Sequence, residues 1–336
     1  MKKVFCFGEI LLRMSPVLDQ AWIKNANMPV HIGGAELNVA KALARWQQPV
    51  TYMSAMPDNY LSKEITASIA ACNIGVEAMQ FCGDRMGIYF LPQGADLKNA
   101  GVIYDRAHAS FSTALFPGKI NWDTLLEGSD WFHFSAISPA LNEQAAAVCL
   151  DAVKAAKRLG LTISVDLNYR AKLWKYGKQP AAVMPELVAY ADVIMGNIWS
   201  ARDLLGIEVP KGVEAAITKE DFAACAKETA AVLFALNPSC KVVANTFRFT
   251  PDGGGVHYYA ALDTREEQAV SVSFEANSVI DKVGSGDCFM AGLIYGIHNG
   301  HGHTETINYA ASAAFGKLQE LGDSTKQTIE QIKSRY

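Results

Sequence analysis

The stretch whose reading decides the fold is "DKVGSGDCFMAGL", Asp281 to Leu293. The short run "ANSVI" (276–280) leads into it and reads as a strand, and "CFMAGLIYGI" after it reads as a helix. Between them stand Gly284, Ser285 and Gly286, followed by Asp287. Glycines leading into a helix N-terminus leave successive backbone N–H groups aimed at one point, a setting for an anion. Gly284 and Gly286 carry no side chain that would hold a phosphate away. Asp287, on the first turn, has two uses open to it. It can cap the helix, or it can take a proton from a hydroxyl nucleophile. Known phosphate loops do not account for the stretch. The chain has no GxxxxGK[ST] sequence, and GxGxxG fails because Phe289 stands where its last glycine belongs.

A second stretch has a similar shape. In "HIGGAELNVAKALARW" (31–46), Gly33 and Gly34 precede a helix that begins near Ala35, with Asn38 on its first turn. Paired glycines there serve either a tight turn into a packed helix or close approach of a ligand to the backbone.

Composition narrows the class. The chain has 336 residues, 50% of them apolar, enough for one large α/β domain with an elaboration or for two domains. Net charge is −4, and no basic block stands out, so nucleic acid is not an expected partner. The seven cysteines are odd in number and form no CxxC pair, which argues against a disulfide framework and for reduced thiols in a cytoplasmic protein. The opening "MKKVFCFGEILLRMSP" reads as a first strand rather than a signal peptide, because Glu9 and Arg13 interrupt it early. No apolar run approaches 18 residues, so no membrane partner is expected.

Short apolar runs alternate with helical patterns. Strands are expected at 3–8, 50–56, 130–137, 161–166, 192–196 and 241–246, and helices at roughly 35–47, 60–72, 141–159, 219–236, 287–299 and 303–319. Near-continuous apolar strands suit a parallel sheet buried on both faces, and the alternation argues for crossover helices. Residues 13–33 and 85–112 break the rhythm with turn signals and alternating polarity, and read as hairpins outside the central sheet.

Taken together, the Gly33-Gly34 turn with Asn38, the DxxGxGD stretch, "GEILLRMSP", "DLN" (166–168) and "YAASAAFGKLQELG" resemble the ribokinase-like carbohydrate kinases, the PfkB family, over essentially the whole chain. The resemblance implies one kinase domain over 1–336. Its fold would be an α/β, doubly wound, mainly parallel sheet flanked by helices, with a small β-sheet lid from insertions at about 13–33 and 85–112. It implies ATP and Mg²⁺ as cofactors, an anion pocket at Gly284, Ser285 and Gly286, and Asp287 as catalytic base. "RMGIYF" (85–90), "IYDRAHAS" (103–110) and "DLNYRAKLW" (166–174) are similar to the branch that phosphorylates 2-keto-3-deoxygluconate at its C6 hydroxyl. A sugar acid needs its carboxylate held, which the resemblance places on Arg106 and Arg170, with Tyr89, Tyr104, Gly34 and Asn38 around the sugar. Surface ion pairs for the arginines and lid packing for the tyrosines are the structural alternatives. A fructokinase or ribokinase of the same fold, or a sugar-binding sensor without catalysis, are the other functions considered.

The chain departs from the family at three places. Lys282 replaces a small residue and would contact phosphate, pair with Asp281 or remain solvated. Asn197 is followed by Ser200 where relatives carry Glu, so Asn197 serves the nucleotide or caps a helix, and the metal ligands stay open. The stretch 244–255 replaces a Gly-rich turn and offers Arg248 as a phosphate contact. His301 and His303 are too few for a structural zinc site. A homo-oligomer through the lid is a further expectation.

Overall fold

The computed structural model describes residues 3–16, 28–92 and 101–336. Six strands lie parallel in the order Val50–Met53, Lys3–Phe7, Ser129–Ser135, Thr162–Asp166, Val193–Gly196 and Val242–Phe249. Val256–Asp263 then runs antiparallel to the last of these and pairs in turn with Gln268–Val270 and Phe274–Ala276. Side chains of successive strand residues point to opposite faces, and here both faces are apolar. Val4 and Cys6 enter one buried cluster, while Phe5 and Phe7 enter another. Helices Ala35–Arg45, Ser285–His298 and His303–Lys317 cover the first face, and Glu143–Arg158 and Met184–Val188 cover the second. The sheet is therefore doubly wound, and the chain leaves the first strand at a point where the strand order reverses. Ligands of open α/β sheets bind in the crevice at such a point, beyond the carboxyl ends of the strands.

A separate four-stranded sheet stands over those ends, in the order Val30–Gly33, Leu11–Met14, Gly87–Phe90, Ile103–Asp105. Its central pair, Leu11–Met14 and Gly87–Phe90, is parallel, and the outer pairings are antiparallel. Both expected insertions contribute strands to it, although residues 17–27 and 93–100 of those insertions lie outside the described residues. One face presents Leu11, Tyr89 and Tyr104 to the space beneath.

Two expectations need correction. "ANSVI" is not a strand beyond Ala276. Asn277 and Ser278 favour turns over ladders, and the backbone N–H of Ile280 donates to Leu318 O at 2.9 Å, so the end of the last long helix fixes this loop. The strand expected to stop at residue 246 continues to Phe249. Phe247 packs on Phe222 and Tyr259, with ring centroids 5.6 and 5.2 Å apart, which extends the apolar pattern by another turn of the ladder.

Helix Ser285–His298 owes its position to a close crossing with His303–Lys317. A Cβ on Gly292 would lie 2.6 Å from Ala310 Cα, so only glycine fits there. Gly292→Val should force the helices apart and lower stability by about 1–3 kcal/mol, the range of overpacked cores. A fall in the midpoint of thermal or urea unfolding checks this, and an unchanged midpoint would contradict the packing argument.

Candidate active site

A cavity of 740 Å³ opens between the small sheet and the carboxyl ends of the parallel strands. Every expected site residue borders it: Gly34, Asn38, Tyr89, Tyr104, Arg106, Arg170, Asn197, Arg248, Lys282, Gly284, Ser285, Gly286 and Asp287. Residues so far apart in the chain meet because loops after strand ends and the first turns of helices share one edge of the central sheet, the small sheet brings Tyr89, Tyr104 and Arg106 over it, and strand Val242–Phe249 carries Arg248 to the wall.

The anion loop is built by conformation first. Gly284 has φ 79°, and a Cβ on it would stand 1.8 Å from Asp323 O, so this position admits only glycine. The helix starts at Ser285, two residues earlier than expected, which makes Asp287 its third residue. Its N-cap is Gly284, and no side chain caps the helix. The first N–H groups of the helix thus have no partner within it and face a cavity that Gly286 leaves open.

The capping reading of Asp287 is therefore set aside. Its carboxylate accepts a hydrogen bond from Asn38 Nδ2 at 2.7 Å instead. Asn38 is held in place by its own helix, which starts after Gly34. That glycine has φ 146°, and a Cβ there would lie 2.6 Å from Glu9 O. Burial pushes the Asp287 carboxyl up to about 8. The Asn38 donor opposes this, Asp166 and Glu36 add to it, and Arg170 opposes it. A carboxyl with that affinity can hold a proton at neutral pH and can also receive one from a hydroxyl close to it.

The two arginines differ. Arg106 is buried, not on the surface, and gives Nε (2.8 Å) and Nη2 to Glu9 Oε2. Its guanidinium also lies 5.7 Å from the ring centroid of Tyr104. Glu9 Oε1 has no hydrogen-bond partner among the described residues, and burial raises the Glu9 carboxyl despite Arg106. Arg170 is half-buried, donates Nη1 to Tyr169 O at 3.0 Å, and has no carboxylate within ion-pair distance among the described residues. It is the better placed of the two to receive a carboxylate from outside.

Asn197 caps the helix Ile198–Leu205. Its side chain accepts from Ser200 N, and Ser200 Oγ accepts from Asn197 N, both at 2.9 Å. Ser200 thus completes a capping box. Arg248 and Lys282 are half-buried at the cavity wall. Beyond the residues expected from sequence, Glu9, Glu36, Asp166 and Asp323 also border the cavity. Asp166 ends its strand, in "DLN", and Glu9 stands two residues past the end of the first strand, in "GE", and that position at a strand end was the available signal. No group of three or more His, Cys, Asp or Glu side chains able to hold a metal occurs among the described residues.

A glycine-framed helix N-terminus, a buried carboxyl beside it and arginines across the cavity define a phosphotransferase site for a small polar acceptor. The comparisons with known proteins agree. The profile described as pfkB family carbohydrate kinase matches residues 1–329, and the chain belongs to that family. It is an enzyme, a carbohydrate kinase, of a family that uses ATP. The chain is similar to the 2-dehydro-3-deoxygalactonokinase of Haloferax volcanii, 28% identical over 97% of this chain and 94% of the relative. It also resembles the crystal structure of 2-dehydro-3-deoxygluconokinase from Thermotoga maritima, 31% identical, covering 100% of this chain and 99% of the other, with a TM-score of 0.88. Fructokinase with bound ATP from Xylella fastidiosa shares the fold, with a TM-score of 0.73 at 21% identity over 99% and 98% of the two chains.

Asp287 also costs stability. Its folded value of about 8 lies above the ordinary carboxylate value of 3.8. Below the ordinary value both states are protonated and nothing is lost. As pH rises toward and through the folded value, the unfolded chain releases a proton that the folded one retains, so the fold loses stability over that window. Asp287→Asn removes the loss. Its melting temperature should match that of the parent near pH 4 and exceed it increasingly up to about pH 8. Parallel curves across that range would contradict the raised value.

Proposed function

We propose that the protein transfers the γ-phosphoryl group of ATP to the C6 hydroxyl of 2-keto-3-deoxygluconate. The observation that carries this reading is the shared cavity of Asp287 and Arg170, a proton acceptor beside an anion pocket and a guanidinium whose one hydrogen bond is to a backbone carbonyl. The likeness to 2-dehydro-3-deoxygluconokinase over the full length supports it.

In this reading Arg170 holds the substrate carboxylate, and Tyr89 and Tyr104 line the sugar's path under the small sheet, which acts as a lid. The C6 hydroxyl then lies against Asp287, which takes its proton as the oxygen bonds to the γ-phosphorus. The bond from that phosphorus to the β,γ-bridging oxygen breaks, and ADP leaves with the electron pair. The N–H groups at Gly284, Ser285 and Gly286 stabilise charge on the group in transit, and Arg248 and Lys282 serve the nucleotide side. Asp166 with Asn168 (3.3 Å apart) offers one carboxylate rather than a cage. That suits Mg²⁺, which keeps water and phosphate oxygens around it. When bound with ATP, the ion neutralises phosphate charge. Asn197 is committed to its helix and holds the wall of the nucleotide side in place.

A fructokinase is the second reading, supported by the shared fold. Neutral sugars need no carboxylate clamp, so Arg170→Ala separates the two. It should raise KM for the sugar acid by about 10- to 100-fold, the range for a lost charge-assisted contact, and leave any neutral-sugar activity within about threefold. The direct experiment is an ATP-coupled assay over keto-deoxy sugar acids and neutral sugars. Preference for 2-keto-3-deoxygluconate is expected, and efficient phosphorylation of a neutral sugar with none of the acid would overturn the assignment.

The pH dependence follows from the base. In the free enzyme, kcat/KM should fall on the acid side with an ionisation far above the ordinary carboxylate range, toward the Asp287 value of about 8. An acid limb near pH 4 would contradict the role.

A further inference from the structure

Behind the anion loop lies a buried set of charges that the chemistry above does not use. Arg13, on the small-sheet strand Leu11–Met14, is 1% exposed. Its Nη2 donates to Asp281 Oδ2 at 3.0 Å, and its Nε lies 2.8 Å from Asp323 Oδ1, an ionic contact without hydrogen-bond alignment. Both carboxylates are part of the loop's frame. Asp281 opens the loop, accepting from Val283 N at 3.0 Å through Oδ1 and from Gly322 N at 3.2 Å through Oδ2. The carbonyl of Asp323 fills the space where a side chain on Gly284 would stand. Tyr89, on the neighbouring small-sheet strand, donates to Asp323 Oδ2 at 3.4 Å. Lys317, fully buried, brings its Cε to the same space beside Gly284 and gives Nζ to Glu320 O at 3.0 Å.

One guanidinium therefore joins three parts of the molecule: the small sheet, the start of the anion loop and the segment packed under Gly284. We infer that Arg13 is a positioning residue for phosphoryl transfer, holding the small sheet in register with the anion loop so that ATP is cleaved onto the sugar and not onto water. The inference rests on the kinase reading above. Its physical basis is geometric. The planar fork of arginine can reach two carboxylates at fixed angles, whereas the point charge of lysine cannot serve both. A shift of the sheet against the loop displaces the acceptor hydroxyl from the phosphorus, and a misplacement of about 1 Å can cost on the order of 100-fold in rate. A gap at the same joint admits water, which competes as phosphoryl acceptor.

The test is Arg13→Lys, with Asp281→Asn as a second variant that weakens the same joint from the loop side. ADP and sugar phosphate are measured separately, at a temperature where circular dichroism shows each variant folded. For the parent, about one ADP should form per sugar phosphate, as the stoichiometry of transfer requires. In the variants kcat should fall by about 30- to 100-fold with both KM values within about threefold, and ADP should exceed sugar phosphate by at least about twofold. A merely structural role lowers the melting temperature but leaves that ratio at one. A ratio of one with kcat within about threefold of the parent overturns the inference, as does failure of both variants to fold. If the parent phosphorylates no sugar acid, the substrate assignment fails on its own, and the ratio is read on whichever sugar the parent does phosphorylate.

Discussion

The structure depends most on one buried carboxyl. Asp287 sits on the first turn of a helix, with a side-chain amide as its hydrogen-bond donor at 2.7 Å and other carboxylates nearby. A carboxylate at a helix N-terminus is ordinarily stabilised by the dipole and stays ionised. Here burial outweighs that effect, and the group is left close to the pH at which it must exchange a proton. The same helix end that would attract an ionised Asp287 also attracts a phosphate. Placing a high-affinity proton acceptor beside an anion pocket reconciles two negative groups that would otherwise repel each other.

The rest of the fold serves that arrangement. Gly284 and Gly34 each occupy a positive φ with backbone pressed against them, so that both helix starts come to the cavity edge. Gly292 lets the catalytic helix lie close against its neighbour. The parallel strands deliver Glu9 and Asp166 to the same edge, and the small sheet places Tyr89, Tyr104 and Arg106 over it. Both arginines line the site, and Arg106 is already paired with the buried Glu9. A charge already matched inside the protein is a poor host for another, whereas Arg170 has only a backbone carbonyl to give up.

The central sheet was legible because its strands are apolar on both faces, and helix Lys219–Leu236 matches the expected boundaries. The expected helix starts at 35, 60, 219 and 303 also match, while those at 141 and 287 miss by two residues. The true start at Ser285 depends on the left-handed Gly284, which periodicity does not reveal. The gathering of the site residues around one cavity followed from the family resemblance, and could not be read from spacing, because Asn38 and Asp287 are 249 residues apart in the chain. Ser200 read as a loss relative to the family, yet it completes the cap of its helix. Arg13 reads only as a break in the first apolar run, and nothing in the sequence points to its buried partners. An arginine in an alternating strand reads as a solvated side chain, and only its two distant carboxylates turn it inward.

The most direct test is to titrate Asp287 itself. Difference infrared spectroscopy of the carboxyl band, with the Asp287→Asn protein as the blank, reports that single ionisation. A protonated carboxyl is expected at neutral pH in the free enzyme, ionising at about 8. A carboxylate already ionised at pH 5 would contradict it, since Asp287 would then be an ordinary surface-like acid and not a buried proton acceptor.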